Sequence, residues 1–104
     1  MAIPVFANNK WTLEVDPDDE VFYVADVGNW LTDNSTTTTS FLLVPTGVTV
    51  IEQGLPQGDR GALLPAKLRF TDATGTTERS CTWRVTTADG QRFDKTMYFK
   101  PVQN

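Results

Sequence analysis

Apolar and polar positions alternate with period two along most of the chain, and no stretch sustains an apolar period of 3.6 residues. Strands are therefore the predicted unit, with helix content near zero. The clearest alternation runs from Ser80 to Thr87, where Cys81, Trp83 and Val85 share one phase and Thr82, Arg84 and Thr86 the other. Ala88-Asp89-Gly90-Gln91 follows as a hairpin turn, because Asp-Gly readily supplies the positive φ values such turns require. Arg92 to Lys100 returns as the partner strand, with Phe93, Met97 and Phe99 inward and Lys95 as an exception to that phase.

Earlier in the chain, Trp11 to Val15 reads as a strand that Asp16-Pro17-Asp18-Asp19 stops, since proline lacks a ladder donor and aspartate favours turns. Val21, Tyr23, Ala25 and Val27 form the inward set of the next strand, and Trp30 and Leu31 are expected to cap one end of the core. Thr32 to Ser40, rich in hydroxyls, reads as a loop leading into a strand at Phe41 to Val44. Pro45-Thr46-Gly47 makes a corner before a strand at Val48 to Glu52. The Gly- and Pro-containing stretch Gln53 to Gly61 reads as a loop, and Lys67 to Thr71 alternates again, with Leu68 and Phe70 inward. About seven short strands in a chain of this length predict an all-β, immunoglobulin-like β-sandwich of antiparallel strands, with an up-and-down barrel as the alternative closure.

Some apolar residues fall in the phase opposite the expected core. Phe22 and Val24 oppose the Tyr23 set, Phe41 and Leu43 oppose Leu42 and Val44, and Ile51 opposes Val50. Contiguous exposed apolar surface commonly marks a contact area, so these five side chains are candidate partner-binding residues. Alternatively, loops or the N-terminal segment cover them within the monomer. That segment, residues 1–9, carries Ile3, Val5 and Phe6 ahead of the first strand signal. It is expected to be an arm that docks on a neighbour, with an extra edge strand as the other reading, leaving 10–104 as the sandwich domain. Ile3, Val5 and Phe6 join the candidate partner-binding set.

Composition narrows the function. At 104 residues with 39% hydrophobic side chains, the chain suits one packed domain. A net charge of −4 offers no basic field for a phosphate backbone, so nucleic acid is not an expected partner. No segment approaches the roughly 20 apolar residues that span a bilayer, and Met1 to Phe6 has neither a basic leader nor a sustained apolar run, so synthesis and assembly in a cytosol are expected. Histidine is absent, which removes the commonest general base and transition-metal ligand, and a Ser-His-Asp arrangement cannot be assembled. The single cysteine, Cys81, can form no intrachain disulfide and reads as a buried thiol. Asp16, Asp18, Asp19 and Glu20 place four carboxylates within five residues. They read as a solvated acidic turn, the alternative being oxygen ligands for Ca²⁺. No enzyme activity, cofactor or metal is expected.

Three segments add a resemblance. They are Asp16-Pro17-Asp18 followed by Tyr23, Asp26 and Asn29-Trp30-Leu31; Leu42-Leu43-Val44-Pro45-Thr46-Gly47-Val48-Thr49-Val50; and Arg84-Val85-Thr86-Thr87-Ala88-Asp89-Gly90-Gln91-Arg92. In this order and spacing, over about nine tenths of the chain, they resemble phage fibre-tail adaptors, small immunoglobulin-like virion proteins. The family tends to have an acidic Asp-x-x-Asp-Trp-Leu segment, a Val-Pro-x-Gly-Leu-Thr-Val corner and a similar closing hairpin. Here Val27 stands where an aromatic is common, and the Gln53 to Pro65 region is longer.

The resemblance implies a non-enzymatic connector joining tail, fibre or head-tail components, present in multiple copies in a symmetric assembly. Its partners would be other phage structural proteins, including portal-adaptor or capsid subunits. A capsid cement or decoration protein is the nearest alternative, and a carbohydrate-binding module, using exposed aromatics such as Trp11 or Trp30, is the third. The expected location is the virion, with the host cytoplasm during assembly.

Overall fold

The strand predicted from the clearest alternation lies at the heart of the structure. The computed structural model describes residues 3–7, 10–16, 20–70 and 79–101, with side chains from Thr12 to Lys100 within those ranges. The strands are β1 (Ile3–Ala7), β2 (Lys10–Val15), β3 (Glu20–Asp26), β4 (Thr38–Thr46), β5 (Thr49–Gln53), β6 (Leu63–Arg69), β7 (Arg79–Thr87) and β8 (Arg92–Pro101). They form an all-β domain of two sheets, ordered β1-β2-β8-β7-β4 and β3-β6-β5. All described strand pairings are antiparallel except β2 with β8, which is parallel and so departs from the wholly antiparallel expectation.

Strand β7 buries Cys81, Trp83, Val85 and Thr87 and turns its alternate residues outward. Its core-facing side chains meet Tyr23 and Ala25 of β3 and Leu64, Ala66 and Leu68 of β6, so the two sheets share one core. Tyr23, Phe70 and Phe99 pack edge-on or tilted with ring centroids 5.1 to 5.9 Å apart. The fully buried Trp83 ties one sheet to the other, its Nε1–H donating to the Leu64 carbonyl at 2.9 Å. At the rim, Gln53 Nε2 donates to the Phe41 carbonyl at 2.6 Å and links edge strand β5 to edge strand β4.

Two expectations about local structure are corrected. Gly28–Asp33 forms a six-residue helix, α1, which drives Leu31 fully into the core. At 3.6 residues per turn, six residues make fewer than two turns, too few to leave a period in the sequence. Residues 54–62 hold more order than a plain loop: Gln57 bridges Leu63, and Asp59–Gly61 makes one 3₁₀ turn. Within the N-terminal segment, Ile3–Ala7 runs as edge strand β1, in register with β2 from Ile3↔Glu14 to Ala7↔Lys10.

Candidate interaction surface

The two sheets turn unlike faces to solvent. On the three-stranded sheet the outward phase of β3 carries Glu20, Phe22, Val24 and Asp26, and these pair across β6 with Arg69, Lys67, Pro65 and Leu63 respectively. Directly opposite residues of an antiparallel pair share a face, so this makes two adjoining rows, with Phe22 and Val24 between Glu20 and Asp26 on β3 and with charge on β6 at Lys67 and Arg69. Phe22 is 48% exposed and Val24 47%. The Lys67 ammonium lies 6.0 Å from the centre of the Phe22 ring, and Arg69 is ion-paired with Glu20. Proline within β6 is tolerated because the β5 ladder ends at Gln53↔Ala66; Gly54 N–H then donates to the Pro65 carbonyl at 3.0 Å. Only glycine allows that approach, since a Cβ there would fall 2.6 Å from Pro65 Cγ.

On the outer face of the five-stranded sheet, polar side chains of β7 and β8 pair with one another. Arg84 on β7 reaches Asp94 on β8 at 3.1 Å, and the Thr82 and Thr96 hydroxyls hydrogen-bond at 2.8 Å. Among the described side chains, its exposed large apolar residues lie on edge strand β4, where Leu42 is 58% exposed and Val44 is also exposed.

The candidate contact residues are thus divided. Phe22, Val24 and Ile51 are exposed. Phe41 is buried and Leu43 is half-buried against the core, while Leu42 and Val44 face out, the reverse of the expected phase. Residues 41–45 are an unbroken apolar run, so period two cannot say which face is which. Pairing decides it: Phe41↔Val85, Leu43↔Trp83 and Pro45↔Cys81 place one set opposite core residues of β7. Ile51 is exposed where the ladder shifts register between Val50 and Glu52. The side chains of Ile3, Val5, Phe6 and Trp11 lie outside the described residues, as do Pro17, Asp18 and Asp19 of the acidic turn. Val21 keeps the inward phase opposite Leu68 but stays exposed near the start of an edge strand. Leu63 and Leu55, both exposed, were missed by the sequence reading, which began this strand only at Lys67.

Beside α1 lies a cleft of about 290 Å³ lined by Asp26, Val27, Asn29, Trp30, Phe93, Asp94 and Lys95. Trp30 and Phe93 stack there with centroids 3.8 Å apart and planes 18° from parallel. At the same end, Asp89 accepts hydrogen bonds from Thr87 Oγ1, from Gln91 Nε2 at 2.7 Å and from Thr36 Oγ1 at 3.1 Å. These bonds, led by those from Thr87 and Gln91, hold its carboxyl down at about 2. They fasten the β7–β8 turn to the chain before β4.

Burial pushes the Cys81 thiol up to about 11, so it is a poor nucleophile at neutral pH. Among the described residues no cluster of Cys, Asp or Glu is arranged to hold a metal ion, and no helix is long and apolar enough to cross a membrane. No family model matches the chain, and no curated protein sequence matches it.

Proposed function

We propose that the chain is a non-enzymatic structural component of a bacteriophage virion, joining tail, fibre or head-tail proteins through contacts made by the outer face of the β3-β6-β5 sheet. The observation that carries this reading is that face: Phe22, Val24 and Leu63 exposed side by side on neighbouring strands, rimmed by Glu20, Arg69 and Lys67. An apolar centre within a charged rim is the anatomy of a protein-binding patch. The partner is a virion protein with an apolar patch of its own, and the three segments resembling fibre-tail adaptors supply the virion context. The strand order supports an immunoglobulin-like closure, because the chain passes from one sheet to the other between β2 and β3, β3 and β4, β4 and β5, and β6 and β7. Assembly would occur in the host cytoplasm, with several copies in a symmetric particle.

The test is incorporation. Tagged protein produced during infection should sediment with purified particles, and the Phe22→Ser, Val24→Thr variant should remain folded in the soluble fraction. Particles free of the wild-type protein would overturn the reading. A second reading, a carbohydrate-binding module, is favoured by the Trp30–Phe93 stack beside Asp26, Asn29 and Lys95, since sugars take an aromatic face and flanking polar groups. Retention on immobilised glycans that Trp30→Ala abolishes would select it.

A further inference from the structure

Arg79 occupies an anomalous position. It opens β7 in the same phase as Cys81, Trp83, Val85 and Thr87, so a permanently charged side chain stands where the strand otherwise faces the core. Its guanidinium stem lies across the backbone of Gly47, where a Cβ would fall 2.5 Å from Arg79 Cδ. Gly47 also holds φ at +74°, a conformation that side-chain-bearing residues rarely adopt. The β4–β5 corner is thus shaped by both space and backbone to admit this arginine.

The Arg79 Nε–H is buried and, among the described residues, has no hydrogen-bond acceptor. A buried donor on a charged group is costly to leave unpaired, and its presence calls for an ion or ligand. Arg79 and Arg69 line one cleft of about 230 Å³ together with Gly47, Val48, Thr49 and Phe70. Among the described residues no carboxylate lines it, and Glu20 is engaged by Arg69 Nε. Two guanidinium groups facing one cleft run against the grain of a chain with net charge −4. The buried Phe70 and half-buried Val48 form a water-poor wall that strengthens charge interactions.

We propose that this cleft is an oxyanion site, in which Arg79, assisted by Arg69, receives a carboxylate or phosphate group. Its volume lies below the roughly 300 Å³ at which pockets for drug-sized ligands begin, so it takes a single small anionic group and not an extended ligand. A planar guanidinium fork matches the paired oxygens of such a group.

The experiment reads the arginine Nε–H resonances of the full-length protein by ¹H–¹⁵N correlation. Sodium acetate and sodium phosphate are titrated separately, with ionic strength held constant by chloride. The peak missing from the Arg79→Lys spectrum assigns Arg79. The expected result is a saturable shift of that peak with at least one anion, while the Arg84 peak, held by Asp94, stays in place. Saturation by acetate alone identifies a carboxylate site, and saturation by phosphate alone a phosphate site. Backbone amides at Gly47 and Val48 should report binding in Arg79→Lys weakened by roughly tenfold or more. If that variant does not fold, the Arg79 Nε–H is assigned by through-bond correlation to its own backbone, and the wild-type titration decides alone. No saturable shift with either anion overturns the proposal. So does an Arg79 Nε–H already hydrogen-bonded to a protein acceptor in anion-free buffer.

Discussion

The outer faces of the two sheets meet the same solvent in different ways. On the five-stranded sheet, polar groups of the adjoining strands β7 and β8 pair with one another: Arg84 with Asp94, and Thr82 with Thr96. On the three-stranded sheet Phe22 and Val24 stand exposed at the centre of β3 and Leu63 at the end of β6, with charge at Glu20, Asp26, Lys67 and Arg69. Inner faces are constrained alike by the core, so the difference lies wholly in what each sheet offers outward. A face whose polar groups satisfy one another gains little from a partner. Covering an exposed apolar face removes its side chains from water, at about 25 cal/mol per Å².

The severest way to break the comparison is to remove the layer both faces rest on. Trp83→Ala is expected to destabilise the domain by about 3 to 5 kcal/mol, because it empties a large core site and strips the Leu64 carbonyl of its donor. Urea denaturation checks it, and a loss below about 1 kcal/mol would mean that the shared core is not built around this ring. Next in size, Phe22→Ser with Val24→Thr should weaken particle association roughly thirtyfold, the scale of a lost hot spot. The melting temperature should barely move, and equal incorporation of variant and wild type would make the apolar face irrelevant to assembly.

The matched change on the polar face is Arg84→Ala with Asp94→Ala. Both partners are more than a third exposed, so the cost to stability should be about 0 to 1 kcal/mol, with no change in association. A large binding defect from this pair would reverse the assignment of faces. The smallest effect concerns Asp89, whose carboxyl is held at about 2 in the folded chain, against an ordinary value near 3.8. Its stabilisation is present above about pH 4 and is lost as pH falls toward 2. Asp89→Asn should therefore melt slightly below wild type at pH 6, with the two curves converging near pH 2. A constant gap across that range would show that the ionised form contributes nothing.

How far the sequence could be read depended on alternation. Strand β7 was legible because its polar phase carries threonines and an arginine that no core would accept, and β3 was legible apart from Val21. Strand β4 was not, because an apolar run holds no phase until its neighbour supplies one. Helix α1 was hidden by its brevity, and the start of β6 by a proline that is acceptable only where the adjoining ladder has ended. Phe22, Val24 and Ile51 could be found because they sit between polar or core-phase neighbours. Leu63 gave no such signal. The arginine cleft was beyond reach, since Gly47, Arg69 and Arg79 come together only through the pairing of four strands.

The parallel alignment of β2 with β8 gives the molecule a direction. Ile3 lies opposite Glu14, Glu14 opposite Lys100, and Arg79 opposite Phe99, so positions 3 and 101 emerge at the end that holds the Arg79 cleft. A fused reporter or affinity handle joined there would crowd that cleft. The β7–β8 turn at Ala88–Gly90 lies at the opposite end, where a peptide inserted for display would project away from both. Gly90 holds φ at +86°, so a display graft should keep this glycine and enter beside it.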